Sequence, residues 1–345
     1  MKTLDQVEAR VIVNAINTPG DAANTFIITQ RGSYYLTGNL DGAAGKDGIS
    51  IRANDVTLDL NGFALSGSGG GTVRGIDVPA LQTGLCVRNG NISGWSGDGV
   101  QGQLATMLAE RLTLSNNGGI GLAVSNGSLV RVCVASGNGT GFFSDDRVQI
   151  IDCIASVNSG DGFNCTNFVT LLDCTSSRNG GNGIVVLDGS SVLRCSSTRN
   201  IPSGHGIFLR SGCTIADCTA NNNGFDGIRQ DTGVGGAIRN CTAQANSGSG
   251  ITVRDRCQVT GNTCDVNANG ILVGGNYNRV DGNSCSLNTQ NQFIAIAASF
   301  FSTFTRNYAS GVSPYNVNAF QAIGPIESSS TGVLQSTSPW ANFAP

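Results

Sequence analysis

The sequence predicts an all-β solenoid, in which short strands wind into stacked coils of about 21–23 residues. Three observations predict it. Asn117, Asn138, Asn158, Asn179, Asn200, Asn223, Asn246, Asn267 and Asn288 are spaced by 21, 20, 21, 21, 23, 23, 21 and 21 residues. Soon after each Asn stands x-Gly-apolar, where x reads Asp98, Ile120, Thr140, Asp161, Asn182, His205, Asp226, Ser249 and Asn269 along the chain, the first of these preceding the Asn series. Between these marks apolar and polar residues alternate, as in Val56-Thr57-Leu58-Asp59-Leu60, which is the period of a strand. A fixed period of this length, with Gly at turns and no helical stretch, marks a repeat array.

One such coil holds about three strands of ~4–5 residues, and stacked coils lie ~4.8 Å apart, so equivalent residues form columns. A buried turn Asn has two donors and two acceptor sites, which identical Asn residues above and below can pair. Five residues before six of the Asn stand Cys133, Cys153, Cys174, Cys195, Cys218 and Cys241. In the next two copies Asn262 and Asn283 take that place, and the cysteine moves two residues on, to Cys264 and Cys285. A shift of two keeps a side chain on the same face of a strand, so these cysteines all point inward as small apolar residues.

In chain order, residues 1–38 are expected to form an N-terminal cap, with strand-like pieces Phe26–Thr29 and Tyr34–Thr37 around Arg31-Gly32. A solenoid end exposes unpaired strand edges and needs such a cover. Residues 39–310 are expected to form the coils. Earlier, less regular copies are Asp47-Gly48-Ile49 and Arg74-Gly75-Ile76, and the bulky run Phe293–Phe301 marks the last coil. Residues 311–345 hold three of the seven prolines and a Ser/Thr run. They read as an extended tail docked on the solenoid by Trp340 and Phe343.

Composition narrows function. There are 49 Gly among 345 residues, 12% charged residues and a net charge of −3. No Lys/Arg run marks a nucleic-acid or anionic-membrane surface. No apolar run is long enough to span a bilayer. The start, Met1-Lys2-Thr3-Leu4-Asp5-Gln6, has no apolar signal core. The chain is therefore cytosolic, or its leader lies outside this sequence. Twelve cysteines without a Cys-x-x-Cys, beside a single His, give no metal set.

Several stretches carry a family resemblance: Leu4-Asp5-Gln6-Val7-Glu8, Gly32-Ser33-Tyr34-Tyr35-Leu36-Thr37-Gly38-Asn39-Leu40, Asp55-Val56-Thr57-Leu58-Asp59-Leu60-Asn61-Gly62-Phe63 and Pro339-Trp340-Ala341-Asn342-Phe343. With the repeat, they make the sequence similar to bacterial right-handed parallel β-helix proteins of the pectate-lyase-like superfold, and more narrowly to an exported bacterial group. The resemblance spans nearly the whole chain. It implies a single-stranded right-handed parallel β-helix and export to the extracellular space or cell surface. It implies no activity.

The wider superfold is rich in enzymes acting on acidic polysaccharides. A polygalacturonase-like site would need an Asn-Thr-Asp segment, an Asp pair one coil on, then Gly-His-Gly and Arg-Ile-Lys. Here Ser159-Gly160-Asp161-Gly162 stands first, Gly181-Asn182 replaces the pair, Gly204-His205-Gly206 matches, and Arg229 alone answers the last segment. Inverting hydrolysis needs two carboxyl groups ~6.5–9.5 Å apart. Asp161 and Asp226 are three coils apart, ~14 Å by the coil rise, and Asp145-Asp146 falls elsewhere in the coil. A lyase needs a base and a group that neutralises the uronate carboxylate, Ca²⁺ or Arg. His205, Asp226 and Arg229 are the candidate catalytic set, and Asp161, Asn182, His205 and Asp226 the candidate ligand-binding row. Against this, a lone His in a column of Thr, Asn, Ser and Asp also fits a solvated turn residue. In its favour, Ile201-Pro202 is the only two-residue insertion between an Asn and its x-Gly, and insertions in repeat proteins cluster on binding faces.

No cofactor is implied. Ca²⁺ fits the Asp and Asn of the x column, but no calcium-repeat motif supports it, and no Gly-Lys-Ser/Thr makes a phosphate loop. The leading expectation is an extracellular, non-catalytic β-helix protein that binds a polysaccharide or cell-surface glycan, or forms part of a surface assembly. The alternatives are a lyase or epimerase acting on uronate polymers through His205, and a structural protein that self-associates through its ends or faces.

Overall fold

The computed structural model describes residues 10–68, 70–71, 73–202, 204–296, 301–328 and 336–345. The Leu4–Glu8 stretch, the first part of the expected cap, residues 297–300 of the Phe293–Phe301 run and most of the Ser/Thr run lie outside the described residues. Among those described, every regular element but the turns is a β-strand. No helix among them is long and apolar enough to cross a membrane. The chain divides into two compact units, Met1–Cys165 and Thr166–Pro345.

In the first unit, one run of parallel strands aligns Phe26, Ile49, Ile76, Val100, Leu122, Phe142 and Phe163 as an inward column. A second run aligns Val11, Tyr34, Leu58, Val87, Ala109, Val130 and Ile150. A third aligns Leu65, Ile92, Leu114, Ala135 and Ala155. The expected strand pieces near the start are strands Asn24–Ile28 and Gly32–Tyr35, and each pairs in parallel with the following coil.

The second unit repeats the plan. Its columns are Ile184, Ile207, Ile228, Ile251, Ile271, Phe293 and Tyr315; Leu171, Val192, Ile215, Ile238, Val259, Val280, Phe304 and Ile323; and Ser176, Ser197, Ala220, Ala243, Cys264, Cys285 and Ala309. A coil thus carries three strands, as the period requires. The Ile residues of the first column are fully buried, each contributing ~1.5–3 kcal/mol relative to exposure. Phe142 and Phe163 in one unit, and Phe293 and Tyr315 in the other, stack with ring planes 7° apart.

Polar residues that alternate outward are not all solvated. Asp59, expected on the outer face, is only 6% exposed because Arg10 and Arg88 cover it. Asp281 lies beneath Arg279 and Arg306. The Arg306 hydrogen bonds hold its carboxyl at about 2, against the opposing push of burial.

The Asn column forms a directional ladder in each unit. Asn246 is representative: its side-chain oxygen accepts from the N–H and Nδ2 of Asn223, both at 3.0 Å. Its own N–H and Nδ2 donate to Asn267 Oδ1 at 2.9 and 3.0 Å, and Nδ2 also reaches the Ala220 carbonyl at 2.8 Å. In the first unit the ladder runs from the Trp95 N–H through Asn117 and Asn138 to Asn158. In the second it ends on Gln292, whose Oε1 accepts from Asn288.

The cysteine column is a weaker version of the same device. Sγ of Cys195 accepts from the Cys174 N–H at 3.4 Å, and Sγ of Cys218 from the Cys195 N–H at 3.4 Å. Cys241 then donates to Asn262 Oδ1, and the column continues as a second amide ladder through Asn283, Asn307 and Asn342. No disulfide joins the cysteines, and all but Cys86 are buried. Burial pushes the Cys257 thiol up to about 12, so that group stays protonated.

Trp340, expected to dock the tail, is 56% exposed. The buried anchor is Asn342, whose Nδ2 donates to the Phe304 and Gly324 carbonyls at 2.9 and 3.1 Å.

Candidate functional site

The x-Gly-apolar mark is set by the ladder behind it. A Cβ on Gly206 would come within 2.7 Å of Asn223 Nδ2 and 2.5 Å of the Gly227 carbonyl. On Gly227 it would meet Asn246 Nδ2 at 2.7 Å. Only glycine lets the backbone pass the amide of the next coil.

The residue before that glycine is held by its own row of bonds. Asp47 Oδ1 accepts from the Arg74 N–H at 2.7 Å, and Asp98 Oδ1 from the Ile120 N–H at 2.7 Å. In the second unit Asn182 Oδ1 accepts from the His205 N–H at 2.9 Å, His205 Nδ1 from the Asp226 N–H at 3.1 Å, and Asp226 Oδ1 from the Ser249 N–H at 2.7 Å. The x side chain is thus the acceptor for the backbone of the coil that follows. His205 fills this role with a ring nitrogen.

Around His205 the second unit gathers Phe208, on the strand that follows it, and Phe225 one coil on, with ring centroids 5.8 and 5.3 Å from the imidazole. Phe208 pairs with Arg229 on the outward face of the sheet. Arg229 Nη1 lies 3.1 Å from Asp226 Oδ2, and Nη2 lies 3.0 Å from Asp231 Oδ1. Asp226 is 7% exposed and Phe225 48% exposed. Burial holds the His205 pKa below its ordinary value; Asp226 opposes this and Arg229 adds to it. The Nδ1 contact acts in the same direction as burial, because a protonated ring has no lone pair there for the Asp226 N–H.

Asn182, His205, Asp226 and Arg229 therefore lie together in the second unit. Asp161 belongs to the first, where its Oδ2 accepts from Asn164 Nδ2 at 3.0 Å. The inserted Ile201 is 56% exposed. Sequence reasoning missed Phe208, Phe225 and Asp231. A signal existed for Phe225: the place just before x holds Gly119, Gly139, Gly160, Gly181, Gly204 and Gly248 in other coils. Among the described residues no three His, Cys, Asp or Glu side chains converge to hold a metal ion.

The arrangement has two chemical properties. A neutral imidazole that accepts through Nδ1 carries its proton on Nε2, so it has no second basic nitrogen to offer a substrate. The Asp226 oxygens are engaged by a backbone N–H and a guanidinium. What remains open to solvent is an aromatic surface edged by a cation and Asp231.

Comparison with known proteins places this architecture. The family described as right-handed β-helix region matches residues 23–201 and 192–322. No curated protein matches the chain. Among solved structures, the A-module of the mannuronan C-5 epimerase AlgE4 from Azotobacter vinelandii is 14% identical, with 90% of each chain covered and a TM-score of 0.56. The AlgE6 A-module from the same organism is 18% identical, covering 86% of this chain and 91% of that one, with a TM-score of 0.57. A double mutant of the periplasmic alginate epimerase AlgG is 12% identical, covering 91% and 84%, with a TM-score of 0.51. At these identities the likeness is one of fold.

Proposed function

The chain belongs to the right-handed β-helix family, and within that fold we propose that it is an exported, non-catalytic protein that binds an acidic polysaccharide on the outer face around His205. One observation carries this reading: His205 Nδ1 accepts the Asp226 N–H at 3.1 Å. That bond makes the ring part of the coil-to-coil connection and leaves it without a free base. Its faces instead serve a platform with Phe208 and Phe225, on which the C–H face of a sugar ring packs. Arg229 beside it, already paired with Asp226 and Asp231, adds a cationic edge to the platform. Asn182 sits at the edge of this platform, and Asp161, in the first unit, is a separate polar candidate bonded to Asn164. Export and polysaccharide binding agree with the chemistry of the neighbouring folds, whose names make mannuronan the first polymer to try.

Affinity electrophoresis through gels containing mannuronan or a neutral glucan tests binding. Assay of the same mixtures for unsaturated product and for C-5 inversion tests catalysis. Retention by mannuronan without chemical change is expected, weakened about two- to tenfold by Phe225→Ala. Product that vanishes in His205→Ala would instead establish the lyase or epimerase reading with His205, Asp226 and Arg229 as its machinery. Absence of retention on every polymer, with self-association in light scattering, would establish the structural one.

A further inference from the structure

One corner of the second unit carries aromatic side chains that neither the amide ladders nor the His205 platform explains. Tyr277 and Phe301 occupy the same corner of successive coils, each two residues before its strand. Both have left-handed backbone, with φ of 58° and 56°. Their rings stack at 5.5 Å and 14°, yet the residues are 58% and 62% exposed. The Phe301 N–H donates to the Phe320 carbonyl of the following coil, and Phe320 is also 62% exposed. In the same unit this corner is held by Gly189 and Gly212, the residue type that suits such a φ, and also by Phe168 and Arg256 at φ of 56°. An aromatic here is strained in the backbone and gains little burial, so packing does not account for it.

Beside the stack lies a cavity of ≈ 190 Å³ lined by Val234, Asp255, Arg256, Asn276 and Tyr277. Asp255 Oδ1 accepts from the Asn276 N–H at 2.6 Å, which fixes the carboxylate at the wall. Arg256 is exposed, and no ion pair engages it among the described residues. An apolar plane, an open cation and fixed amide and carboxylate groups converge on one small concave space, the composition of a sugar subsite.

We propose that the Tyr277–Phe301 corner is a second polysaccharide site, which takes one acidic pyranose residue. The C–H face of the ring lies on the aromatic stack, its carboxylate faces Arg256, and its hydroxyls face Asp255 and Asn276. The proposal rests on the polysaccharide-binding reading for the class of ligand and is independent of it for the location.

The test is affinity electrophoresis of the full chain in mannuronan, with Tyr277→Asn/Phe301→Asn, Arg256→Gln and Phe225→Ala as variants. Asn tolerates left-handed backbone, so the double variant keeps its melting temperature while losing both rings. The expected result is retention weakened about two- to tenfold by the double variant, and a loss with Arg256→Gln that is absent in a neutral glucan. Unchanged retention in the double variant and in Arg256→Gln, while Phe225→Ala still weakens it, would overturn this site and leave the His205 surface standing. No retention of wild type on any polymer would overturn both. If the double variant melts early, exposed Arg256→Gln alone decides by the same criterion.

Discussion

At the scale of single residues, the protonation state of His205 is tied to a backbone bond. Asp226, Arg229 and Asp231 are the charged groups that face it. Its pKa is lowered in the folded chain from the usual 6.5, so the unfolded chain binds the proton more readily. The stability from the Nδ1 contact is therefore fully present above the unfolded pKa, and it is lost as pH falls below that value toward the folded one. His205→Asn supplies an acceptor that does not titrate, as Asn182 does one coil earlier. Urea denaturation at about pH 7.5 and about pH 5 should show wild type losing more stability on acidification than His205→Asn. Equal losses would show that the ring nitrogen is not the acceptor. The sequence exposed His205 as unusual but not why, because the bond that occupies it comes from a backbone group with no residue signature.

At the scale of the strand and its corners, the amide ladder is the strongest polar element. Asn246 takes part in five hydrogen bonds, two accepted and three donated. Asn246→Ala removes the four made by the side chain, keeps the backbone N–H bond to Asn267, and leaves buried partners above and below, a loss of about 2–4 kcal/mol in denaturant melts. A shift within error of wild type would show that water replaces the amide. These elements were legible in the sequence because each is overdetermined. The Asn is fixed by its bonds, the Gly by contact with that Asn, and the Ile column by burial. The corners were not legible. Val157, Tyr277, Leu287 and Phe301 all adopt positive φ, where sequence rules expect Gly or Asn. There the bonds to adjacent coils hold the backbone, and the side chain is left to other uses.

At the scale of the molecule, what stops the array matters as much as what propagates it. Asn342 continues the second ladder although it lies 35 residues beyond Asn307, which broke the period and hid it. The conspicuous aromatic of the tail, Trp340, is instead exposed and has the Arg306 guanidinium 5.9 Å from its ring centre. Truncation before Ser336 should lower the melting temperature by ~3–8 °C and promote aggregation visible in light scattering, because it uncovers the Tyr308 strand edge. Asn342→Ala in the full chain should reproduce most of the melting shift without the aggregation, and a truncated chain that melts like wild type would remove the tail from the account. The one-way donation of the ladders has a further consequence, for ancestry. Between Asn179 and Asn288 every coil receives from one neighbour and gives to the other in the same pattern. A whole coil can be duplicated or lost there by recombination with no donor left over, while Gln292, closing one end, cannot be copied along with it. Such a gene lengthens and shortens from its middle.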